Sequence, residues 1–198
     1  MSPLILATRN LHKVREFREM LGPDFELADL SAHPQIGEVV EDGASFAANA
    51  RLKSVTVSRQ LPGLILADDS GLEVDSLGGA PGIFSARYAG DEATDAENRR
   101  KLLAELGAKR ERTARFRCVL SLARNGEEIA VFEGTVEGEI VAAERGAVGF
   151  GYDPLFQPTG RAQTFAELSA DEKNQLSHRA AAVRQLREFL RPILPKES

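Results

Sequence analysis

The chain has 198 residues, of which 42% are apolar and 28% charged, the make-up of an ordinary globular protein long enough to bury a core. Its 25 Lys and Arg stand against 30 Asp and Glu, a formal charge of −5. With no long basic run, this excludes a duplex nucleic-acid binder that depends on broad phosphate neutralisation, though a single small polyanion still suits a locally basic, metal-containing cleft. One cysteine, Cys118, excludes an internal disulfide, and its neighbours Val119, Leu120 and Leu122 make it a small core hydrophobe on a strand. The start, Met-Ser-Pro-Leu-Ile-Leu-Ala, has no basic lead. No apolar run approaches the ~20 residues that span a bilayer. The default expectation is a cytoplasmic protein without a membrane partner.

No repeat or linker divides the sequence, so a single domain over residues 1–198 is expected. Leu4 to Ala7 reads as a strand. Leu11, Val14, Phe17 and Leu21 then recur at helical spacing, with Arg15, Glu16, Arg18 and Glu19 on the other side. Phe25 to Leu30 reads as a second strand, Ser45 to Arg59 as a helix, and Leu64 to Ala67 as a buried strand ending in two aspartates. Thr94-Asp95-Ala96-Glu97 is a capping box opening a helix through Leu106. Arg115 to Ala123 and Ile129 to Val136 flank Asn125-Gly126, a strong hairpin signal. Ser169-Ala170-Asp171-Glu172 is a second capping box. It opens a last helix with an apolar stripe of Leu176, Val183, Leu186 and Leu190, ended by Pro192 and Pro195. Strands alternating with helices early and hairpins later predict an α/β protein with a mixed sheet flanked by helices, not a strictly parallel doubly wound one.

Five clusters carry candidate chemistry. Thr8-Arg9-Asn10-Leu11-His12-Lys13 lies where the first strand meets the first helix, a place that suits an anion; taken alone, Asn10 is equally a helix cap and Lys13 a solvated cation. Lys53, four residues after Asn49, falls within the apolar stripe of its helix and either snorkels to water or enters a polar pocket. Asp68 and Asp69 end an apolar strand, where strand alternation sends them to opposite sides. Carboxylates from two segments, such as Glu41 and Asp69, suit Mg²⁺, whereas His12, His33 and His178 have no zinc-ligand spacing. Gly149-Phe150-Gly151-Tyr152-Asp153-Pro154 offers close backbone approach and an aromatic face for a base, or only a tight turn. Lys173 and Ser177 stand one turn apart on the last helix, followed by His178 and Arg179; a solvated face is the default for each of these alone.

Together and in this order, these segments resemble the inosine triphosphate pyrophosphatase, or Ham1-like, family over nearly the whole chain. The resemblance is carried by Leu6-Ala7-Thr8-Arg9-Asn10 with Lys13, Asp68-Asp69-Ser70-Gly71-Leu72, Gly78-Gly79-Ala80-Pro81-Gly82, Ser85-Ala86-Arg87-Tyr88, Gly149 to Pro154, and Ser177-His178-Arg179. It implies an elongated α/β fold of two lobes with a central cleft, usually a homodimer. The implied activity is Mg²⁺-dependent hydrolysis of ITP, dITP and XTP to monophosphate and pyrophosphate. By position, the segment from Thr8 to Lys13 and Lys53 would hold phosphates, Glu41 and Asp69 the metal, and Asp69 would accept the proton with Ser70 beside it. Phe150, Gly151, Tyr152 and Asp153 would cover the base with Lys173, while His178 and Arg179 read its edge. Arg9 and His12 stand where many relatives have glycine, and Ala48 where many have glutamate. Rival readings are a pyrophosphatase for modified pyrimidine or methylated nucleotides, a regulatory nucleotide binder without catalysis, and a structural module.

Overall fold

A computed structural model describes residues 4–191, so the helix stops expected at Pro192 and Pro195 lie outside the described residues. Strands β1 (Leu4–Leu6), β2 (Leu27–Asp29), β3 (Leu64–Val74), β4 (Thr113–Arg124), β5 (Glu127–Ile140) and β6 (Phe156–Pro158) form one sheet in the order β2-β1-β3-β4-β5-β6. β1 pairs in parallel with β2 and β3, and β5 pairs antiparallel with β6. Helices α1 (Leu11–Leu21), α2 (Phe46–Ser58), α3 (Asp95–Leu106), α4 (Ala170–Leu176) and α5 (His178–Leu190) complete the mixed α/β architecture expected from the sequence.

The chain divides into two compact units. The first comprises residues 1–69, 119–134 and 179–198, and the second residues 70–118 and 135–178. In the first, Ile5, Ala7, Ile65 and Ala67 pack with Leu30, Ile36, Val57 and Leu61. Phe17 and Leu21 of α1 are fully buried. Asn10 Oδ1 accepts the amides of His12 and Lys13, so the cap that starts α1 fixes where Lys13 emerges. Asn125 (φ 54°) and Gly126 (φ 83°) make the left-handed pair that a two-residue hairpin turn requires, and Ser58 Oγ accepts the Gly126 amide at 3.0 Å. In the second unit, Leu72, Val74, Leu102, Phe116, Phe156 and Phe165 share a core, with the Phe116 and Phe156 rings 4.8 Å apart at 63°. Capping boxes at Thr94 and Ser169 start α3 and α4 as expected.

The hairpin strands run longer than expected, and three further elements differ in ways that bear on the site. β2 begins at Leu27, not Phe25, and stops at Asp29, whose side chain accepts the Ser31 amide and turns the chain into a short 3₁₀ segment over Leu30–Ala32. β3 does not end at the two aspartates but runs through them to Val74, with Asp68 compensated in place by Arg179 and Lys13. The last helix is two helices: Ser177 is extended (φ −68°, ψ 159°) and ends α4, so Lys173 and Ser177 do not share one continuous helical face.

Phe17 fills the site-facing helix's contact with the core, so Phe17→Ala should cost about 3–5 kcal/mol of folding free energy in denaturant titrations. A loss under about 1 kcal/mol would mean that α1 is held by other contacts.

Candidate active site

The two aspartates of β3 meet different surroundings because successive strand residues face opposite sides. Asp68 turns to α1 and α5. Arg179 Nε donates to its Oδ2 at 3.0 Å, and Lys13 Nζ stands 3.4 Å from the same oxygen. Arg179 in turn pairs through Nη1 with Glu16, one turn from Lys13 on α1. The central pair is nearly sealed from water: the Asp68 side chain is 1% exposed and that of Arg179 2%. Glu16 was expected among the outward residues of α1; it instead supplies the second carboxylate that buried Arg179 needs.

Asp69 turns to α2. Lys53 Nζ lies 3.9 Å from Asp69 Oδ1, 3.3 Å from Glu41 Oε1, and donates to the Asp68 carbonyl oxygen at 2.7 Å. Of the two outcomes open for Lys53, the polar pocket is the one realised. Asp69 Oδ2 is buried without a hydrogen-bond partner. Burial pushes the Asp69 carboxyl from its ordinary 3.8 up to about 6. Lys53 and Lys13 pull it down, whereas Glu41 and Asp68 add to the rise.

The segment before α1 is partly occupied by its own cap. Thr8 Oγ1 accepts the Asn10 amide at 3.1 Å, and Asn10 holds the amides of His12 and Lys13, so fewer backbone donors face outward than an uncapped helix start would offer. Arg9 Nη2 donates to the Ile36 carbonyl oxygen at 2.5 Å, tying this segment to the chain leading to Glu41. Leu11 and His12 are exposed. Lys13 is not the solvated cation it is when taken alone.

The remaining expected residues fall in the second unit. Asp153 Oδ2 accepts the Phe150 amide at 2.9 Å and Lys173 Nζ at 2.6 Å, and that ammonium lies 5.0 Å from the Phe150 ring centroid. Lys173 is 6% exposed, so the solvated helix face expected by default is replaced by a buried ion pair. The close approach at Gly149 (φ 85°) is made by Asp153 itself, whose Oδ2 would stand 2.1 Å from an added Cβ. The Tyr152 hydroxyl donates to the Ser85 carbonyl oxygen at 2.9 Å and anchors this turn, while Asp95 Oδ2 accepts the Gly151 amide. His178 stacks on Phe116 with ring centroids 4.8 Å apart. Ser70 is half-buried, next to Asp69 in β3.

A divalent cation fits the first set. Asp69 has an orphaned oxygen, and Asp69 and Glu41 both face one ammonium, which marks a place where two carboxylates tolerate each other only around positive charge. Among the described residues no group of three or more His, Cys, Asp or Glu gathers to hold a metal. Two carboxylates are the donor set of an ion that takes its other ligands from water and substrate phosphate.

Buried carboxylates among lysines on an α/β sheet, one of them with an unpartnered oxygen, are the makings of an α/β enzyme site for a cation and a small polyanion. The chain belongs to the Ham1 family, whose model matches residues 4–189. It is 47% identical over 193 residues to the dITP/XTP pyrophosphatase of Bacillus licheniformis, covering 96% of this chain and 98% of that protein. Among solved structures, the Ham1 protein of Staphylococcus aureus matches with TM-score 0.87 and 41% identity, covering 97% of this chain and 100% of that one. A HAM1 protein from Coxiella burnetii matches with TM-score 0.88 and 38% identity at the same coverage.

Because the folded Asp69 carboxyl binds its proton more tightly than the unfolded one, the stability this gives is fully present below about pH 4 and lost as pH rises through about 6. With divalent cations chelated, Asp69→Asn should therefore be the more stable protein near pH 7.5, by on the order of 1–3 kcal/mol in urea titrations, and the advantage should disappear below about pH 4. A pH-independent difference would refute the raised pKa.

Proposed function

We propose that the chain hydrolyses ITP, dITP and XTP to the monophosphate and pyrophosphate, with Mg²⁺ as the metal. The observation that carries this reading is Asp69: a buried carboxylate with a partnerless oxygen, set among Lys53, Lys13 and Glu41 and titrating near neutrality. The name dITP/XTP pyrophosphatase, carried by a relative that aligns over nearly the whole chain, supports dITP and XTP among these substrates.

Glu41 and Asp69 would hold the ion, which supplies charge neutralisation on the triphosphate and its leaving pyrophosphate. Lys13 and Lys53 add fixed positive charge from α1 and α2, and Thr8, Arg9, Asn10, Leu11 and His12 complete the phosphate-facing segment. Asp69 takes a proton from the attacking water while the water oxygen bonds to phosphorus and the phosphoanhydride oxygen departs with pyrophosphate. Positive charge from the ion and the two lysines would keep Asp69 ionised for that task against the effect of its burial. Ser70 flanks it.

We assign Phe150, Gly151, Tyr152 and Asp153 to the base. Lys173 fixes the turn through Asp153 and lies against the Phe150 ring. His178 and Arg179 are assigned to the 6-oxo edge, since a guanidinium held by two carboxylates is a rigid donor that would meet the adenine amino group donor to donor. β3, β4 and β5 each contribute to both compact units, which supports one working domain over residues 1–198. A homodimer follows from the family resemblance, and the cytoplasm is the default compartment. No helix among the described residues is long and apolar enough to cross a membrane.

Pyrophosphate release should be fastest with ITP and XTP, far slower with GTP and ATP, and lost without Mg²⁺. Asp69→Asn should lower kcat by about 10²–10⁴-fold with nucleotide binding retained. Equal kcat/KM across the four nucleotides would refute the specificity, and near-normal turnover by Asp69→Asn the catalytic assignment. Preference for a methylated or pyrimidine nucleotide would favour the neighbouring specificity instead.

A further inference from the structure

Glu41 lies on a segment, residues 37–44, that has no helix or strand of its own. Two side chains of α2 hold it. Asn49 Oδ1 accepts the Gly43 amide at 2.8 Å, and one turn further along the same helical face Lys53 reaches Glu41 Oε1 at 3.3 Å. Gly43 lies so close to the first turn of α2 that an added Cβ would stand 2.6 Å from Asn49 Oδ1 and 2.8 Å from the Ala48 Cβ. At the start of the segment, Ile36 is buried and its carbonyl oxygen accepts from Arg9.

Asn49 is fully buried, yet its Nδ2 has no hydrogen-bond partner. Flipping the amide does not repair this, because the NH₂ group would then face the Gly43 N–H. A buried unsatisfied donor costs stability, so an apolar residue would serve the core better at this position. The bond to Gly43 accounts for the residue type.

We propose that Asn49 is a positioning residue for the metal site: through Gly43 it holds the segment that presents the Glu41 carboxylate beside Lys53 and Asp69. This rests on the assignment of Glu41 to the metal.

The test uses the full chain without nucleotide. Mn²⁺ binding is followed by electron paramagnetic resonance, and loop order by amide hydrogen exchange over residues 37–44. Asn49→Ala should weaken Mn²⁺ binding by about tenfold, the lower end of what loss of an outer-shell partner does, and speed exchange in the segment. Gly43→Ala should do the same from the loop side, without opening a core cavity. Asn49→Asp keeps the acceptor and should keep exchange slow. Gly37→Ala, where an added Cβ meets nothing within 4 Å, should leave both readouts unchanged. If Asn49→Ala and Gly43→Ala bind Mn²⁺ within about twofold of wild type while Glu41→Gln binds it weakly, the inference alone is overturned. Weak binding without faster exchange overturns it too, because Asn49 then does not act through the loop. If Glu41→Gln also binds Mn²⁺ normally, the metal assignment falls and takes the inference with it.

Discussion

Two adjacent carboxylates buried in one strand are the constraint on which the site depends. Strand alternation sends Asp68 and Asp69 to opposite faces of β3, so each must find its compensation separately. Asp68 is saturated by Arg179 and Lys13. Asp69 is not: its nearest ammonium is 3.9 Å away and one oxygen has no partner. The same residue type thus serves two ends. Asp68 ties α1 and α5 to the strand, and Asp69 keeps an unspent lone pair and a carboxyl pushed up to about 6 by burial.

The saturated aspartate orders the reactive one. Arg179 bridges Asp68 and Glu16, and Lys13 and Glu16 sit one turn apart on α1, so the start of that helix is locked to the strand that carries Asp69. On the other face, Lys53 stands between Glu41 and Asp69, the place where a divalent cation would do the same electrostatic work with twice the charge. The second unit repeats the motif of a buried lysine paired with an aspartate, in Lys173 and Asp153. There its effect is to fix a turn and an aromatic ring, not to perturb a reactive group.

Much of this was legible in the sequence. Local rules with short reach worked: the Asn10 cap, the capping boxes at Thr94 and Ser169, and the Asn125-Gly126 turn each depend on neighbours within a few residues. Cys118 is a buried strand residue, as its neighbours indicated. What failed depended on partners far along the chain. β3 looked as if it stopped at its aspartates because Arg179, 111 residues away, was not visible as the counter-charge of Asp68. Glu16 looked like a solvated helix residue for the same reason, although its spacing from Lys13 was a usable signal. The break at Ser177 was masked by an apolar stripe that continues across it, and serine's preference for helix ends was the overlooked cue. Asn49 was noted only as a neighbour of Lys53, since its bond to Gly43 cannot be read from spacing.

Asp69 carries a proton near pH 6 until a cation displaces it. Calorimetric titration of the full chain with Mg²⁺, in buffers of different ionisation enthalpy, counts the protons released on binding. About half a proton should be released near pH 6, falling towards zero near pH 8, with none from Asp69→Asn. No release near pH 6, or equal release from the Asp69→Asn variant, would contradict it.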